Sequence, residues 1–415
     1  MERKRRRKRV RRAKKQSVGL KVRLIIVLMA AAFGAWQVFP EIAMRATETA
    51  GRISGKSEIQ NTASELTLKE EEVETDFYYQ QLNGKEKTAY KELLQGVREM
   101  EENITLHVGK EEDAGKIYEA LLYDRPELFW CTGDSHMTVY SEYTEFSPSY
   151  SCTAEQKEER QERILQAEME CWGQMPETDS EYEKIKAVFE YIVNTVEYDE
   201  TASDNQNIYS ALVNHRSVCA GYSRSAQYLL KSLGIECIYV TGDVISADGK
   251  RGAHAWNIVK CENAYYQMDV TFGDPLFLEN ENREDLPEYM INYEYLCCTD
   301  EQIQRDHIPD EGAEYPVCDS DDLNYYKRNG MYYETFDPDE ILGKMKEGIA
   351  DRQEMFVCSF KDEEVYSQAV QQMIGELLPQ AAQNLAERYG LEQVRYTYAE
   401  DKVQYIFSVF WNYNE

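Results

Sequence analysis

The stretch from Ser217 to Pro275, SVCAGYSRSAQYLLKSLGIECIYVTGDVISADGKRGAHAWNIVKCENAYYQMDVTFGDP, decides how the rest of the chain is interpreted. It contains Cys219, His254 and Asp269, which lie 35 and then 15 residues apart. From Cys219 onward, apolar residues recur mostly at intervals of three and four, which predicts a helix with one buried face. Gly234 is typical of a helix C-terminus. Cys219 is therefore expected in the first turn of this helix.

A cysteine in that position has a physical advantage as a nucleophile. Free backbone N–H groups and the positive end of the helix dipole stabilise a thiolate. The same N–H groups could hold the oxyanion of a tetrahedral intermediate. A nearby base is still needed, since an ordinary thiol is mostly protonated at neutral pH.

His254 is the candidate base. Residues 253–260 and 264–270 alternate in polarity and are joined by Cys261-Glu262-Asn263, a pattern that predicts an antiparallel hairpin. His254 lies on its first strand, and Asp269 ends the second. The carboxylate could accept a hydrogen bond from the far imidazole nitrogen and fix its orientation. The order helix, strand, strand thus predicts a Cys-His-Asp site.

Each of these residues also has an ordinary structural interpretation. A lone cysteine is usually a small core residue, a strand histidine is usually hydrogen-bonded in the core, and Asp269 could simply initiate a turn. Their joint order favours catalysis. His215 and Arg216, just before the cysteine, could compete as a base or help to stabilise the thiolate, but a loop position favours solvated surface roles for both.

Three motifs in this region resemble those of the bacterial transglutaminase-like superfamily: VCAGYS at 218–223, GAHAWN at 252–257 and YYQMDVT at 265–271. The likeness extends over roughly Glu181–Thr299. It implies an α+β, papain-like core with a catalytic helix packed on an antiparallel sheet, and Cys219, His254 and Asp269 as the catalytic residues. Members include cross-linking acyltransferases, peptidases, deamidases and inactive proteins, so the reaction stays open. Asn214 and Tyr209 are candidate oxyanion side chains, or packing residues.

Charge is distributed unevenly along the 415 residues. Residues 1–23 hold 13 Lys and Arg against the single acid Glu2, which leaves 33 basic and 75 acidic residues elsewhere, a net charge of −42. A body this acidic argues against nucleic acid or anionic lipid as its main partner. The basic tail could be a nucleic-acid arm, but the segment behind it favours another role.

That segment is Leu24–Phe39, 16 residues without a charge. As a helix it spans about 24 Å, slightly less than the roughly 30 Å of a bilayer core. The basic block before it predicts a cytoplasmic N-terminus and a body outside the membrane. A cleaved signal peptide is the alternative to this uncleaved signal anchor.

The pattern predicts six parts. They are a basic cytoplasmic tail (1–23), a transmembrane signal anchor (24–39), a stalk (40–75), a small helical or α+β domain (76–150), the catalytic domain (151–318) and a small C-terminal α+β domain (319–415).

No cofactor or metal is expected. The five histidines are scattered, no CxxC or HExxH motif occurs, and no glycine-rich phosphate loop is present. Ten cysteines, nine without Cys219, show no disulfide framework, so most are expected to be reduced.

The sequence therefore predicts a membrane-anchored cell-surface enzyme acting on protein or peptide substrates. Cys219 would form a thioester that passes to an amine or to water. The alternative is a non-catalytic surface protein that uses the same fold to bind a partner.

Overall fold

The computed structural model describes residues 66–246, 249–274 and 291–413. The basic tail, the predicted anchor and most of the predicted stalk lie outside these residues, as does the acidic loop at 279–288. Among the residues that are described, no helix is both long and apolar enough to cross a bilayer.

The N-terminal segment combines helices with a three-stranded antiparallel sheet of order β1-β3-β2. Its elements are α1 (Phe77–Gln81), α2 (Gly84–Arg98), β1 (Ile104–Leu106), α3 (Ala114–Asp124), β2 (Cys131–Val139) and β3 (Thr144–Tyr150). The alternation over 138–146 predicts one strand there, and this is wrong. The chain turns where Tyr140 N–H donates to Tyr143 O, and the two rings stack with centroids 4.4 Å apart. The alternating run therefore contains the turn of a hairpin.

The central segment carries a four-stranded antiparallel sheet of order β8-β7-β6-β9. Its elements are α4 (Ala154–Gln174), α5 (Glu181–Thr195), β4 (Glu197–Tyr198), α6 (Ile208–Asn214), β5 (Arg216–Ser217), α7 (Cys219–Ser232), β6 (Cys237–Ile245), β7 (Arg251–Cys261), β8 (Ala264–Met268), α8 (Asp300–Ile303) and β9 (His307–Pro309). The predicted β7–β8 hairpin is confirmed. Cys261 pairs with Ala264 across a turn whose two residues, Glu262 and Asn263, have positive φ.

Helix α7 also joins the central segment to the N-terminal one. Three of its side chains donate to successive carbonyls at the C-terminal end of α3: Arg224 Nη1 to Leu122 O, Gln227 Nε2 to Tyr123 O and Lys231 Nζ to Asp124 O, each at 2.8 Å. These bonds satisfy carbonyls that have no helical partner of their own. One hydrophobic core runs from Val73 to Leu323, so the two segments bury their apolar surface together.

The apolar run Ile291–Cys298 predicts a strand, and this is wrong. It forms turns, with Cys297 at φ 54°, and its bridge to the sheet is the pairing of Cys298 with Gln267. Its carbonyls serve the residues after β8 instead: Tyr295 O accepts from Asp269 N–H at 2.9 Å. A buried turn that braces another backbone is apolar without having a strand's alternation.

The C-terminal segment has its own core and a four-stranded sheet of order β10-β11-β13-β12. Its elements are α9 (Tyr325–Arg328), β10 (Tyr332–Tyr333), α10 (Pro338–Ala350), β11 (Met355–Phe360), α11 (Glu363–Gln372), a π-helical turn (Met373–Leu377), α12 (Leu378–Tyr389), β12 (Arg395–Asp401) and β13 (Ile406–Asn412).

Two predictions for this segment are wrong. Pro379 is predicted to end a helix, yet helix continues through it, because the π turn shifts the hydrogen-bond register and Pro379 falls in the first turn of α12. The final hairpin is predicted to turn at 399–402. Instead β12 continues to Asp401, and the turn lies at 402–405.

Candidate active site

Cys219 is the first residue of α7, as predicted, and its side chain is partly exposed. The helical ladder begins where Gly221 N–H and Tyr222 N–H donate to Val218 O, at 2.9 and 3.1 Å. The N–H groups of Cys219 and Ala220 precede that ladder and have no helical carbonyl to bind. They are therefore suited to stabilise an anion formed beside the thiol.

The sharp entry into α7 depends on Gly221. A Cβ at this position would lie 1.9 Å from Ser217 Oγ and 3.0 Å from Asn205 O. Ser217 Oγ donates to that carbonyl at 2.6 Å, so it cannot rotate away without losing the bond. The residue two positions after the nucleophile therefore has to lack a side chain.

Replacing Gly221 with alanine is expected to lower the free energy of unfolding by about 1–3 kcal/mol, because the new methyl group forces the Ser217 side chain or the backbone to move. Urea denaturation of the full chain measures this. Gly173→Ala is the matched control, since a Cβ there meets nothing within 4 Å in helix α4. A Gly221→Ala variant as stable as Gly173→Ala would contradict the tight entry.

His254 lies on β7 with 8% of its surface exposed. Its Nε2 donates to Asp269 Oδ2 at 2.7 Å. Burial disfavours the charged imidazole, but the Asp269 carboxylate, the hydrogen bond to it and the contact with Cys219 prevail and raise the pKa of His254 to about 10. One nitrogen of the imidazole is thus held by a carboxylate, while the same ring also interacts with the Cys219 thiol.

Asp269 directly follows β8 and is fully buried. Its Oδ1 accepts from the N–H groups of Thr271 and Phe272, at 2.8 and 3.3 Å. Its Oδ2 accepts from two histidines. Burial alone would raise the pKa of the Asp269 carboxyl, but the charges and hydrogen bonds of His254 and His307 hold that pKa well below its usual range. The group is a fixed carboxylate.

The second histidine, His307, has no counterpart in the sequence prediction. Its ring is fully buried, and Nε2 donates to Asp269 Oδ2 at 3.1 Å while Nδ1 donates to Asp306 Oδ1 at 2.5 Å. Burial opposes its charge, yet the bonds to the two carboxylates raise the pKa of His307. Strand β9 brings His307 here by pairing with β6. The two strands can approach this closely because residue 242 is a glycine: a Cβ at Gly242 would lie 2.2 Å from Ile308 O.

No spacing in the sequence connects His307 to the site, since 38 residues separate it from Asp269. Its only local signal is that Asp306 precedes it and Ile308 follows it. Pairing of β9 with β6, a long-range contact, is what places the ring.

Tyr198 is another neighbour of the thiol without a sequence signal. Strand β4 pairs in parallel with β5, so that Tyr198 lies opposite Ser217, two residues before Cys219. Burial raises the pKa of Tyr198 well above its usual range, and the charge of Cys219 adds to this. The phenol therefore keeps its proton and is a hydrogen-bond donor in the vicinity of Cys219.

The remaining candidates named from the sequence are exposed or paired with other residues. His215 is exposed at the end of α6 with φ 55°, and Asn214 beside it is also exposed. Arg216 Nη2 pairs with Asp199 Oδ2 at 2.6 Å. Tyr209 Oη accepts from Arg163 Nη1.

Three side chains of the site are also a possible set of metal ligands. Donor atoms of His254, Asp269 and His307 lie within 4.8 Å of one another. Both imidazoles donate to the same carboxylate oxygen, so an ion would have to displace those two hydrogen bonds. The donor set fits a hydrogen-bonded relay better than a metal centre, and the absence of a metal stays a prediction. All ten cysteines lie within the described residues and are free thiols.

Comparison with known proteins identifies the region around this site. Residues 173–270 match the family model of the transglutaminase-like superfamily. Kyphoscoliosis peptidase of Mus musculus is 22% identical over 176 residues, which cover 39% of this chain and 26% of that protein. The chain thus spans about a quarter of the curated relative's length.

Two solved structures resemble the chain at lower sequence identity. The crystal structure of a TGase is 16% identical, covers 45% of this chain and 55% of its own, and superposes with a TM-score of 0.26. A proposed cysteine protease from Cytophaga hutchinsonii is 15% identical, with 34% and 63% covered and a TM-score of 0.23.

Proposed function

We propose that the protein is a cysteine enzyme acting on amide or peptide carbonyls, and the match of residues 173–270 to the transglutaminase-like superfamily supports this. The observation that carries the proposal is the order in which the three side chains contact one another. Asp269 holds one nitrogen of His254 at 2.7 Å, and the same imidazole interacts with Cys219 at the start of α7. This is the arrangement of an activated thiol nucleophile.

The chemistry follows from these positions. The Cys219 thiolate adds to the carbonyl carbon, and the oxyanion that forms lies near the N–H groups of Cys219 and Ala220. His254 donates its proton to the departing nitrogen, so that ammonia or an amine leaves and a thioester remains. An incoming amine or water then gives its proton to His254 and releases the acyl group. Asp269 keeps the imidazole oriented and stabilises its charge throughout.

Both fates of the thioester belong to the proposal. Transfer to an amine is transamidation, whereas transfer to water is deamidation of a carboxamide or hydrolysis of a peptide bond. Whether the acyl group passes to an amine or to water is expected to depend on which of the two reaches the thioester first.

We also propose that the body lies outside the cytoplasmic membrane and acts on protein or peptide substrates at the cell surface. What supports this is the basic block at residues 1–23 followed by the uncharged Leu24–Phe39. The substrate class rests on that location.

Trapping the thioester tests the function. We expect the full chain, incubated with a glutamine-containing peptide mixture and quenched in acid, to carry a mass addition on the Cys219 peptide that hydroxylamine removes. The His254→Ala variant should show no such addition, and released ammonia, incorporated dansylcadaverine or new peptide N-termini then identify the acceptor. A wild-type chain without any adduct or product would contradict the enzyme and favour a non-catalytic binding protein.

A further inference from the structure

The hydrogen-bonded chain at the site does not end at Asp269. His307 donates from Nε2 to Asp269 and from Nδ1 to Asp306, and a ring that donates from both nitrogens is an imidazolium. Positive and negative groups therefore alternate along His254, Asp269, His307 and Asp306. Each charge in this buried row is compensated by its neighbours, as burial of charge requires.

Asp306 is held at its other oxygen by two further side chains. Tyr295 Oη donates to Asp306 Oδ2 at 2.5 Å, and Gln404 Nε2 donates to the same oxygen at 3.3 Å. The Gln404 amide also reaches Tyr295 Oη and Gln302 O, both at 3.3 Å. Tyr295 contributes a second time through its carbonyl, which accepts from Asp269 N–H.

Gln404 comes from the β12–β13 turn of the C-terminal segment. It is 1% exposed, although hairpin turns are usually solvated. Its own carboxamide oxygen accepts from Arg305 Nη1 at 3.2 Å, and the Arg305 guanidinium lies 4.5 Å from the ring centre of Tyr405. Asp401 Oδ1 accepts from Gln404 N–H at 2.9 Å and shapes the turn.

We propose that Gln404 is a positioning residue of the active site: the C-terminal segment inserts this side chain to orient Asp306, which orients His307 and, through it, Asp269. Only the catalytic consequence rests on the proposed function. The positioning itself concerns a hydrogen-bonded row that exists whether or not Cys219 reacts. On this proposal the C-terminal segment has a role in the site that its separate core does not reveal.

The competing explanation is that Gln404 merely attaches two segments. If Gln404 only attaches the segments, the site should change when the side chain loses volume. If Gln404 positions Asp306, the site should change when the amide donor alone is lost. Gln404→Met separates these effects, because methionine keeps nearly the same length and has no donor. Gln404→Asn withdraws the donor from Asp306, because its stem is one methylene shorter, and serves as a second variant should the first fail to fold.

The experiment is NMR of the full chain with ¹⁵N-labelled histidine, which observes the imidazole N–H groups of the row directly. The titratable groups that face His307 are Asp269, Asp306, Tyr295 and His254, so its signals report on this row. In the wild type we expect slowly exchanging N–H signals from both nitrogens of His307. In Gln404→Met and Gln404→Asn we expect these signals to shift and exchange faster, and Gln383→Met, an exposed control in α12, to leave them unchanged.

Alkylation of Cys219 by iodoacetamide at pH 7, followed on its peptide by mass spectrometry, gives the catalytic consequence. Loss of one positioning hydrogen bond is expected to slow it about threefold to tenfold. Unchanged His307 signals in a folded Gln404→Met variant would overturn the proposal. Shifted His307 signals beside a Cys219 that behaves as an ordinary thiol in the wild type would instead support the positioning and remove the proposed enzyme function.

Discussion

At about pH 6, iodoacetamide is expected to alkylate Cys219 in the wild-type chain about tenfold to a hundredfold faster than in the His254→Ala variant. The thiolate is the species that reacts, and an ordinary thiol is almost entirely protonated at this pH. His254 is expected to remain an imidazolium, since its pKa is raised to about 10, and its charge favours the thiolate beside it. The lower intrinsic nucleophilicity of a stabilised thiolate reduces the gain without removing it.

The pH dependence distinguishes two roles of the same imidazole. As the pH rises through about 10, His254 loses its proton. Acyl transfer should then decline, because no acid remains to protonate the departing nitrogen. Alkylation needs only the thiolate and should not decline. The two profiles, measured on one preparation between pH 5 and about 11, are therefore expected to diverge at their alkaline end.

His215 provides the matched control for His254. It lies four residues before the nucleophile, is exposed, and has φ 55°, a conformation that asparagine tolerates. His215→Asn should alkylate like the wild type. If His215→Asn slowed the reaction and His254→Ala did not, the assignment of the base would be wrong.

The sequence predicts those parts of the molecule whose signals are local. The charged run 154–174 is predicted to be a helix, and the structure has a helix over these residues, because Thr153 caps it and apolar residues recur at helical spacing. The β7–β8 turn is likewise determined by two neighbouring residues, Glu262 and Asn263. The helix start at Cys219 and the strand of His254 follow from comparable local patterns.

The errors occur where a distant contact decides the outcome. Pro379 continues a helix because a π turn absorbs it, and residues 291–298 form turns because their carbonyls serve the segment after β8. His307 enters the site only through the pairing of β9 with β6. Gln404 comes from a hairpin 98 residues after Asp306, so that no periodicity links it to Asp269.

Replacing Asp269 with asparagine is expected to lower the rate of acyl transfer by about 10³–10⁴-fold, the scale seen when a histidine loses its orienting carboxylate. Here the substitution disturbs the hydrogen bonds of two imidazoles, because Asp269 Oδ2 accepts from both His254 and His307. An amide offers one oxygen and sets an NH₂ group against the other donor. His254 is then free to take the wrong tautomer, and His307 loses half of its charge compensation.

The same substitution should change how stability depends on pH. In the wild type, the depressed pKa of Asp269 contributes stability that is present above its unfolded value of about 3.9 and is lost as the pH falls. The raised pKa of His254 contributes stability that is fully present below about 6.5. This second contribution is lost as the pH rises through about 10. In Asp269→Asn the first contribution should vanish and the second should shrink, since of the groups that raise the pKa of His254 only Cys219 remains.

Urea unfolding at two pH values, near 5.5 and near 9.5, separates this effect from a general loss of packing. The wild type is expected to lose more unfolding free energy between the two than Asp269→Asn does, because in the wild type the Asp269 carboxylate holds the protons of His254 and His307 more firmly than the amide can. Asp243→Asn is the control, since Asp243 lies on the neighbouring strand β6, is partly exposed and pairs with Arg251 at 3.7 Å. It should keep both the wild-type pH dependence and acyl transfer. If Asp269→Asn were equally destabilised at both pH values relative to the wild type, the carboxylate would contribute packing rather than charge, and His254 would need another source for its raised proton affinity.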